Sequence, residues 1–344
     1  MILHPTRLLF YSTLILGTLI AISSSSWLGA WVGLEINLLS FIPLMSDKTN
    51  QFSTEAALKY FLTQALASAI LIFGAVCLGL STQFGSSYHF NSSTLNILIS
   101  ATLLLKMGAA PFHFWFPGVM EGLNWVNGLI LMTWQKIAPL MLVSYVFNPS
   151  LISFGFIFMC ALAGGLGGFN QTSLRKIMAY SSINHLGWML AATLLGSSYW
   201  ITYFLFYSFL SSCVVLLFNL FNLSHINQVF SLPVSNPVFK MALFCNLLSL
   251  GGLPPFLGFL PKWIIIQGMV AAGYNFMITI MVLLTLIALY FYMRIGYSAF
   301  MLAHHETKWI VVPFSSSLAQ SLTITSLTLS LFGLLLCSSV ILIL

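Results

Sequence analysis

Residues 103–117 read LLLKMGAAPFHFWFP, and residues 248–263 read LSLGGLPPFLGFLPKW. Each stretch sets glycine and proline inside a run apolar enough to sit in a bilayer. Each also carries one lysine, Lys106 or Lys262. Proline removes a backbone donor and blocks the preceding helical turn. At membrane depth the freed backbone groups must be satisfied by protein or water. Discontinuous helices at corresponding positions of two halves mark the transport site of an inverted-repeat transporter. A proline kink that only shapes packing is the plainer alternative. The reading adopted is two broken membrane helices, near 94–116 and 238–268, each beside a buried cation.

The rest of the chain supports a membrane setting. Its 344 residues are 59% hydrophobic and only 5% charged, whereas a soluble domain averages about 25% charged residues. The expected class is an all-α polytopic membrane protein forming a single membrane domain over 1–344. The formal net charge of +6 is spread singly along the chain with no basic run, so no nucleic-acid partner is expected. Cys77, Cys160, Cys213, Cys245 and Cys337 are solitary and lie in apolar stretches. They form no C-x-x-C or Cys/His cluster, so no metal or iron–sulfur site is expected. No phosphate-binding, nicotinamide or haem motif appears, so no cofactor is expected in this chain. The N-terminal run MILHPTRLLFYSTLILGTLIAI reads as a first membrane helix, not as a cleaved signal or an Arg/Ser-rich presequence.

Marking stretches of about 20 apolar residues gives eleven: 5–23, 26–45, 55–80, 94–116, 126–146, 150–169, 175–195, 199–222, 238–268, 274–302 and 319–344. With this count, alternate loops divide the basic residues cleanly. One side holds Arg7, Lys48, Lys59, Arg175, Lys176, Lys240, Arg294 and Lys308, and the other holds none. The positive-inside rule puts the basic side in the compartment of synthesis. The N-terminus is therefore expected inside and the C-terminus outside. The fourth and ninth segments are the broken ones, as expected for two inverted five-helix repeats.

Three lysines remain as non-anchors: Lys106, Lys136 and Lys262. A charge at the bilayer centre costs roughly 2.5–3.5 kcal/mol on insertion scales, and lysine gains and loses its proton readily when buried. Glu35, in WVGLEINLLSFIPLM (31–45), is a fourth ionisable group at mid-span. It reads as a proton-relay carboxylate or a structural partner, with Lys106 the favoured lysine. Lys136 is centred in LMTWQKIAPLML (131–142), where Trp134 and Gln135 read as polar lining or packing. Lys59 reads as a surface anchor or a relay, with Glu55 one helical turn earlier at ion-pair spacing. His113 and His185 read as hydrogen-bonded core residues or as proton relays. Ser181, Ser182 and Asn184 are placed to hold water near His185. His304, His305 and Glu306 fall in a solvated loop. The small-residue run Ala163, Gly164, Gly165, Gly167, Gly168 reads as a close helix contact.

Six stretches carry a resemblance: 25–47, 53–68 (STEAALKYFLTQALAS), 103–123, 131–140, 164–189 (GGLGGFNQTSLRKIMAYSSINHLGWM) and 248–263. Together they resemble the NADH–ubiquinone oxidoreductase chain 2 family, antiporter-like membrane subunits of mitochondrial respiratory complex I. The resemblance runs from about residue 10 to residue 300, and the C-terminal segment matches only in character. It implies an antiporter-like fold lacking the first three of fourteen family helices. It implies a pair between Glu35 and Lys106, and a link from Lys136 to Lys262. The related chain 4 carries a glutamate at the position of Lys262.

The resemblance also implies a function: a proton-translocation path through Glu35, Lys106, Lys136 and Lys262, with His113, His185 and Lys59 as relay candidates. NAD, FMN, iron–sulfur clusters and ubiquinone would be held by other subunits. The expected partners are other complex I subunits, especially neighbouring antiporter-like and small membrane-arm subunits, together with membrane lipids. The expected location is the mitochondrial inner membrane, with the N-terminus in the matrix and the C-terminus in the intermembrane space. A stand-alone cation/proton antiporter and a structural membrane-arm scaffold are the alternatives.

Overall fold

Every named element is an α-helix, as a bilayer requires of a chain without a closed barrel. The computed structural model describes residues 5–47, 50–83, 92–230, 237–301, 321 and 323–334. Lys48, the loop expected over 303–318 with His304, His305, Glu306 and Lys308, Cys337 and the end of the last expected segment lie outside the described residues. The chain divides into two units, Met1–Cys160 and Ala161–Leu344.

The first unit opens with α1 (Pro5–Ser23), α2 (Trp27–Met45) and α3 (Gln51–Gln83). After α4 (Ser92–Met107) the chain leaves the helix, then resumes as α5 (Trp115–Gly122). Two short helices follow, α6 (Trp125–Met132) and α7 (Trp134–Val146). Helix α8 (Leu151–Phe169) carries the division between the units. The second unit has α9 (Leu174–Leu195), α10 (Ser197–Leu220), the short α11 (Ile226–Phe230), α12 (Pro237–Gly251), α13 (Phe259–Ala271) and α14 (Asn275–Met301). An apolar helix over Thr323–Leu334 is α15.

Among the described residues seven stretches are long and apolar enough to cross a membrane: Pro5–Ser23, Trp27–Met45, Gln51–Ser81, Trp125–Val146, Leu151–Phe169, Ser197–Leu220 and Asn275–Tyr297. The two expected interruptions are present. The chain is non-helical between Met107 and Trp115, and again between Gly251 and Phe259. Gly108 (φ 71°) and Gly252 (φ 78°) take the left-handed conformation that ends each first half, which costs glycine nothing sterically. The first broken segment runs on to Gly122, past the expected limit at 116. A further interruption, not foreseen, falls at Thr133 between α6 and α7. The Thr133 hydroxyl donates to the Leu129 carbonyl at 2.7 Å, a back-bond of the kind that bends helices.

In the first unit, α1 and α2 pack closely because Gly33 lies against the Ala21 backbone. A Cβ at Gly33 would come within 2.5 Å of the Ala21 nitrogen. At the far end of this pair Asp47 accepts from Arg7 at 3.4 Å and from the Asn124 side-chain amide at 2.7 Å. Asn127 caps the Leu44 carbonyl at 2.8 Å. The start of α1, the end of α2 and the start of α6 therefore meet at one end of the unit.

Helix α9 is the centre of the second unit, with seventeen of its 22 residues buried. The expected small-residue contact is present here. A Cβ on Gly164 would lie 2.5 Å from the Asn184 backbone nitrogen, and one on Gly168 would meet the Phe291 ring at 2.9 Å. Backbone cannot retreat as a flexible side chain can, so Gly164→Ala is expected to weaken folding by about 1–3 kcal/mol. Gly155→Ala, where nothing lies within 4 Å, is the matched control. Thermal unfolding in detergent checks this, and equal midpoints for the two variants would refute the contact.

Candidate functional site: buried lysines at helix breaks

The first break has a cost that the fold meets with side chains from elsewhere. Ending α4 at Met107 leaves its last carbonyls without helical donors. The Leu105 carbonyl receives the Trp115 indole N–H at 3.1 Å and the Gly108 amide at 3.1 Å. The Lys106 carbonyl receives the side-chain amide of Gln64, from α3, at 3.1 Å. Gln64 is 4% exposed. Lys106 itself is buried in the last turn of α4, where the negative end of the helix dipole favours a cation.

Glu35 is half-buried on α2 and acts electrostatically on both Lys106 and the buried Tyr60 of α3. The expected Glu35–Lys106 contact is not a direct ion pair. Arg7 and Asp47, by contrast, do pair, at 3.4 Å. Tyr60 packs edge-on against Phe41 at 5.5 Å and against Trp115 at 5.8 Å. The Glu35 carboxylate and the Lys106 ammonium thus belong to one group with Tyr60, Gln64 and Trp115. None of these last three was singled out from sequence.

Lys136 begins α7, just after the Thr133 interruption, and is 1% exposed. Its Nζ lies 5.2 Å from the centre of the Phe116 ring, within cation–π range. Phe116 also packs on the first break, since a Cβ on Gly108 would stand 2.9 Å from the Phe116 Cβ. The Cys160 thiol reaches the same break, donating to the Ala110 carbonyl at 3.7 Å, and acts electrostatically on Lys136. The Trp134 and Gln135 side-chain N–H groups are buried without a partner among the described residues.

In the second unit Lys262 plays the part that Gln64 and Trp115 play in the first. It lies in the first turn of α13, buried, and its Nζ donates to the Gly251 carbonyl at 2.7 Å. That carbonyl is the last of α12. The ammonium therefore caps the break in person, aided by the dipole of α12. Gly252 makes room for it, because a Cβ there would come within 2.8 Å of Nζ.

The relay candidates differ in setting. His185 is 5% exposed, and its Nδ1 hydrogen-bonds the Tyr203 hydroxyl at 2.8 Å. The Tyr207 ring stands 5.0 Å from it. Ser182 interacts with Tyr207 and Ser181 with Tyr292, which makes a buried polar cluster across α9, α10 and α14. His113 is half-buried in the non-helical stretch and stacks on Phe114 at 4.4 Å. Lys59 is exposed and does not pair with Glu55. Among the described residues no three or more His, Cys, Asp or Glu gather as metal ligands.

Ionisable groups buried at membrane depth are candidate functional residues, and comparison with known proteins places the chain in a family. A family profile described as "NADH:quinone oxidoreductase/Mrp antiporter, TM" matches residues 24–288. The fold resembles a chain of respiratory complex I from Thermus thermophilus with bound aureothin. The TM-score is 0.84 at 24% identity, covering 96% of this chain and 78% of that one. It also resembles a chain of the Mrp complex from Dietzia sp. DQ12-45-1b. There the TM-score is 0.77 at 18% identity, covering 94% and 74%. The NADH-ubiquinone oxidoreductase chain 2 of Anopheles gambiae is 56% identical over 335 residues, 96% of this chain and 97% of that one. That of Aedes aegypti is 55% identical over 337 residues, 98% of each. With a matching profile over most of its length and relatives this similar end to end, the chain belongs to the NADH-ubiquinone oxidoreductase chain 2 family.

Proposed function

We propose that this chain is a core membrane-arm subunit of proton-pumping NADH:ubiquinone oxidoreductase in the mitochondrial inner membrane. Its part is a proton path through Glu35, Lys106, Lys136 and Lys262. The observation that carries this reading is the placement of Lys106 and Lys262 at the two helix breaks, each buried and each at the carbonyl end of a helix. A lysine there is held by partial charges and hydrogen bonds rather than by a fixed counter-ion, so the balance between its charged and neutral forms responds to nearby charge. Glu35 supplies such a charge to Lys106.

The proposed sequence starts at Glu35. A change of charge near it weakens its hold on Lys106, whose proton then passes toward Lys136 and on to Lys262, with His113, His185 and Lys59 as relay groups. Redox chemistry belongs to other subunits, which hold FMN, iron–sulfur clusters and the NAD and ubiquinone sites. Their energy reaches this chain through neighbouring antiporter-like and small membrane-arm subunits. The proposed topology is one membrane domain of eleven spans and two inverted five-helix repeats, with Arg7, Arg175, Lys176 and Lys240 facing the matrix. The near-full-length relatives named for NADH-ubiquinone oxidoreductase favour this over a stand-alone antiporter.

Three outcomes test the path in the assembled complex. Lys106→Met is expected to abolish this subunit's share of proton translocation while the complex still assembles. Protons moved per NADH, measured in sealed vesicles, decide it, and full pumping would sink the reading. Gln64→Leu leaves the Lys106 carbonyl without its donor, a loss of about 1–3 kcal/mol at a buried acceptor. It is expected to lower the pumping ratio, with Gln64→Asn falling between. Gly252→Ala is expected to displace Lys262 and match the defect of Lys262→Met; wild-type pumping in Gly252→Ala would show that the carbonyl contact is incidental.

A further inference from the structure

Asn246, on α12, is 1% exposed, and neither its Oδ1 nor its Nδ2 has a partner among the described residues. A carboxamide carries two donors and an acceptor oxygen. Leaving all of them unmet inside a membrane core is strongly unfavourable. Lys262 has the complementary deficit. Its ammonium has three donors, and one is accounted for by the Gly251 carbonyl.

The geometry of α12 joins the two. Residues three apart are neighbours on a helix surface, and Asn246, Ser249 and Gly252 follow one another at that spacing. Ser249 is fully buried, and its hydroxyl hydrogen goes to the Asn246 carbonyl at 2.7 Å, which leaves the oxygen free to accept. The row ends where a Cβ on Gly252 would touch Nζ of Lys262 at 2.8 Å. From Asn246 to Gly251 the helix rises about 7–8 Å, the reach of two or three hydrogen-bonded waters. In the other direction the next member of the row is Leu243, buried, and beyond it comes Lys240 at the basic end.

We propose that Asn246 and Ser249 hold a short file of internal water that leads from Lys262 toward the Lys240 end of α12, with Leu243 closing it. The file gives Lys262 a polar approach along α12. Its role in pumping rests on the proton path proposed above; its existence does not.

The test uses the intact complex in two measurements. A density map that resolves water is expected to show at least one ordered water within hydrogen-bond distance of the Asn246 amide and another beside Lys262 Nζ. Protein side chains pairing both amide atoms, or a dry amide, would overturn the proposal. Protons per NADH are then compared for Asn246→Leu, Lys262→Met and the double variant. The expected result is a loss in Asn246→Leu no larger than in Lys262→Met, no further loss in the double variant, and recovery in Asn246→Thr, whose hydroxyl can hold the same water. Additive losses, or no recovery in Asn246→Thr, would overturn it. If Lys262→Met pumps normally, the proton-path reading fails instead, and the map alone decides the water file.

Discussion

A helix that stops inside a membrane must find partners for the carbonyls it leaves behind, and the rest of this molecule follows from how that is done. At the first break the Leu105 and Lys106 carbonyls are taken by neutral donors, Trp115 and Gln64. At the second, the Gly251 carbonyl is taken by the charged end of Lys262. The two solutions differ in consequence. Neutral capping frees the Lys106 ammonium to answer to Glu35. Capping by Lys262 ties the state of that ammonium to the end of α12 itself.

Much of this was legible in the sequence because charge and proline are rare in apolar runs and stand out. Glu35, Lys106, Lys136 and Lys262 were visible for that reason, and so were both interrupted segments. The close contact at Gly164 was visible from a cluster of small residues. What could not be read were partners that are ordinary on their own helices. Gln64 is 42 residues from the carbonyl it serves, and a glutamine near a helix middle has no distinguishing spacing. Tyr60, Phe116 and Tyr203 are aromatic residues among many. The Thr133 interruption has no glycine or proline at the break itself, and the Thr133 hydroxyl shares the Leu129 carbonyl with its own backbone N–H.

The family resemblance implied a pair between Glu35 and Lys106. In the structure they share a setting with Tyr60 but do not close to ion-pair distance. The difference is physical. Lys106 is fixed from behind by the carbonyl clasp of Gln64 and from the side by the helix end, so its position answers to the break before it answers to a carboxylate. Two charges that act on each other without a closed contact remain adjustable, whereas a closed buried pair would resist separation.

The ring of Phe116 beneath Lys136 has an electrical meaning. An aromatic face attracts a cation but has no lone pair that accepts a proton in this range and no proton to give. On that side Lys136 therefore rests on an insulator. Because Phe116 is seated on Gly108, the insulator is attached to the break that follows Lys106. A shift of that break would carry the ring with it, so the surroundings of Lys136 are tied to the chain end that carries the neighbouring lysine.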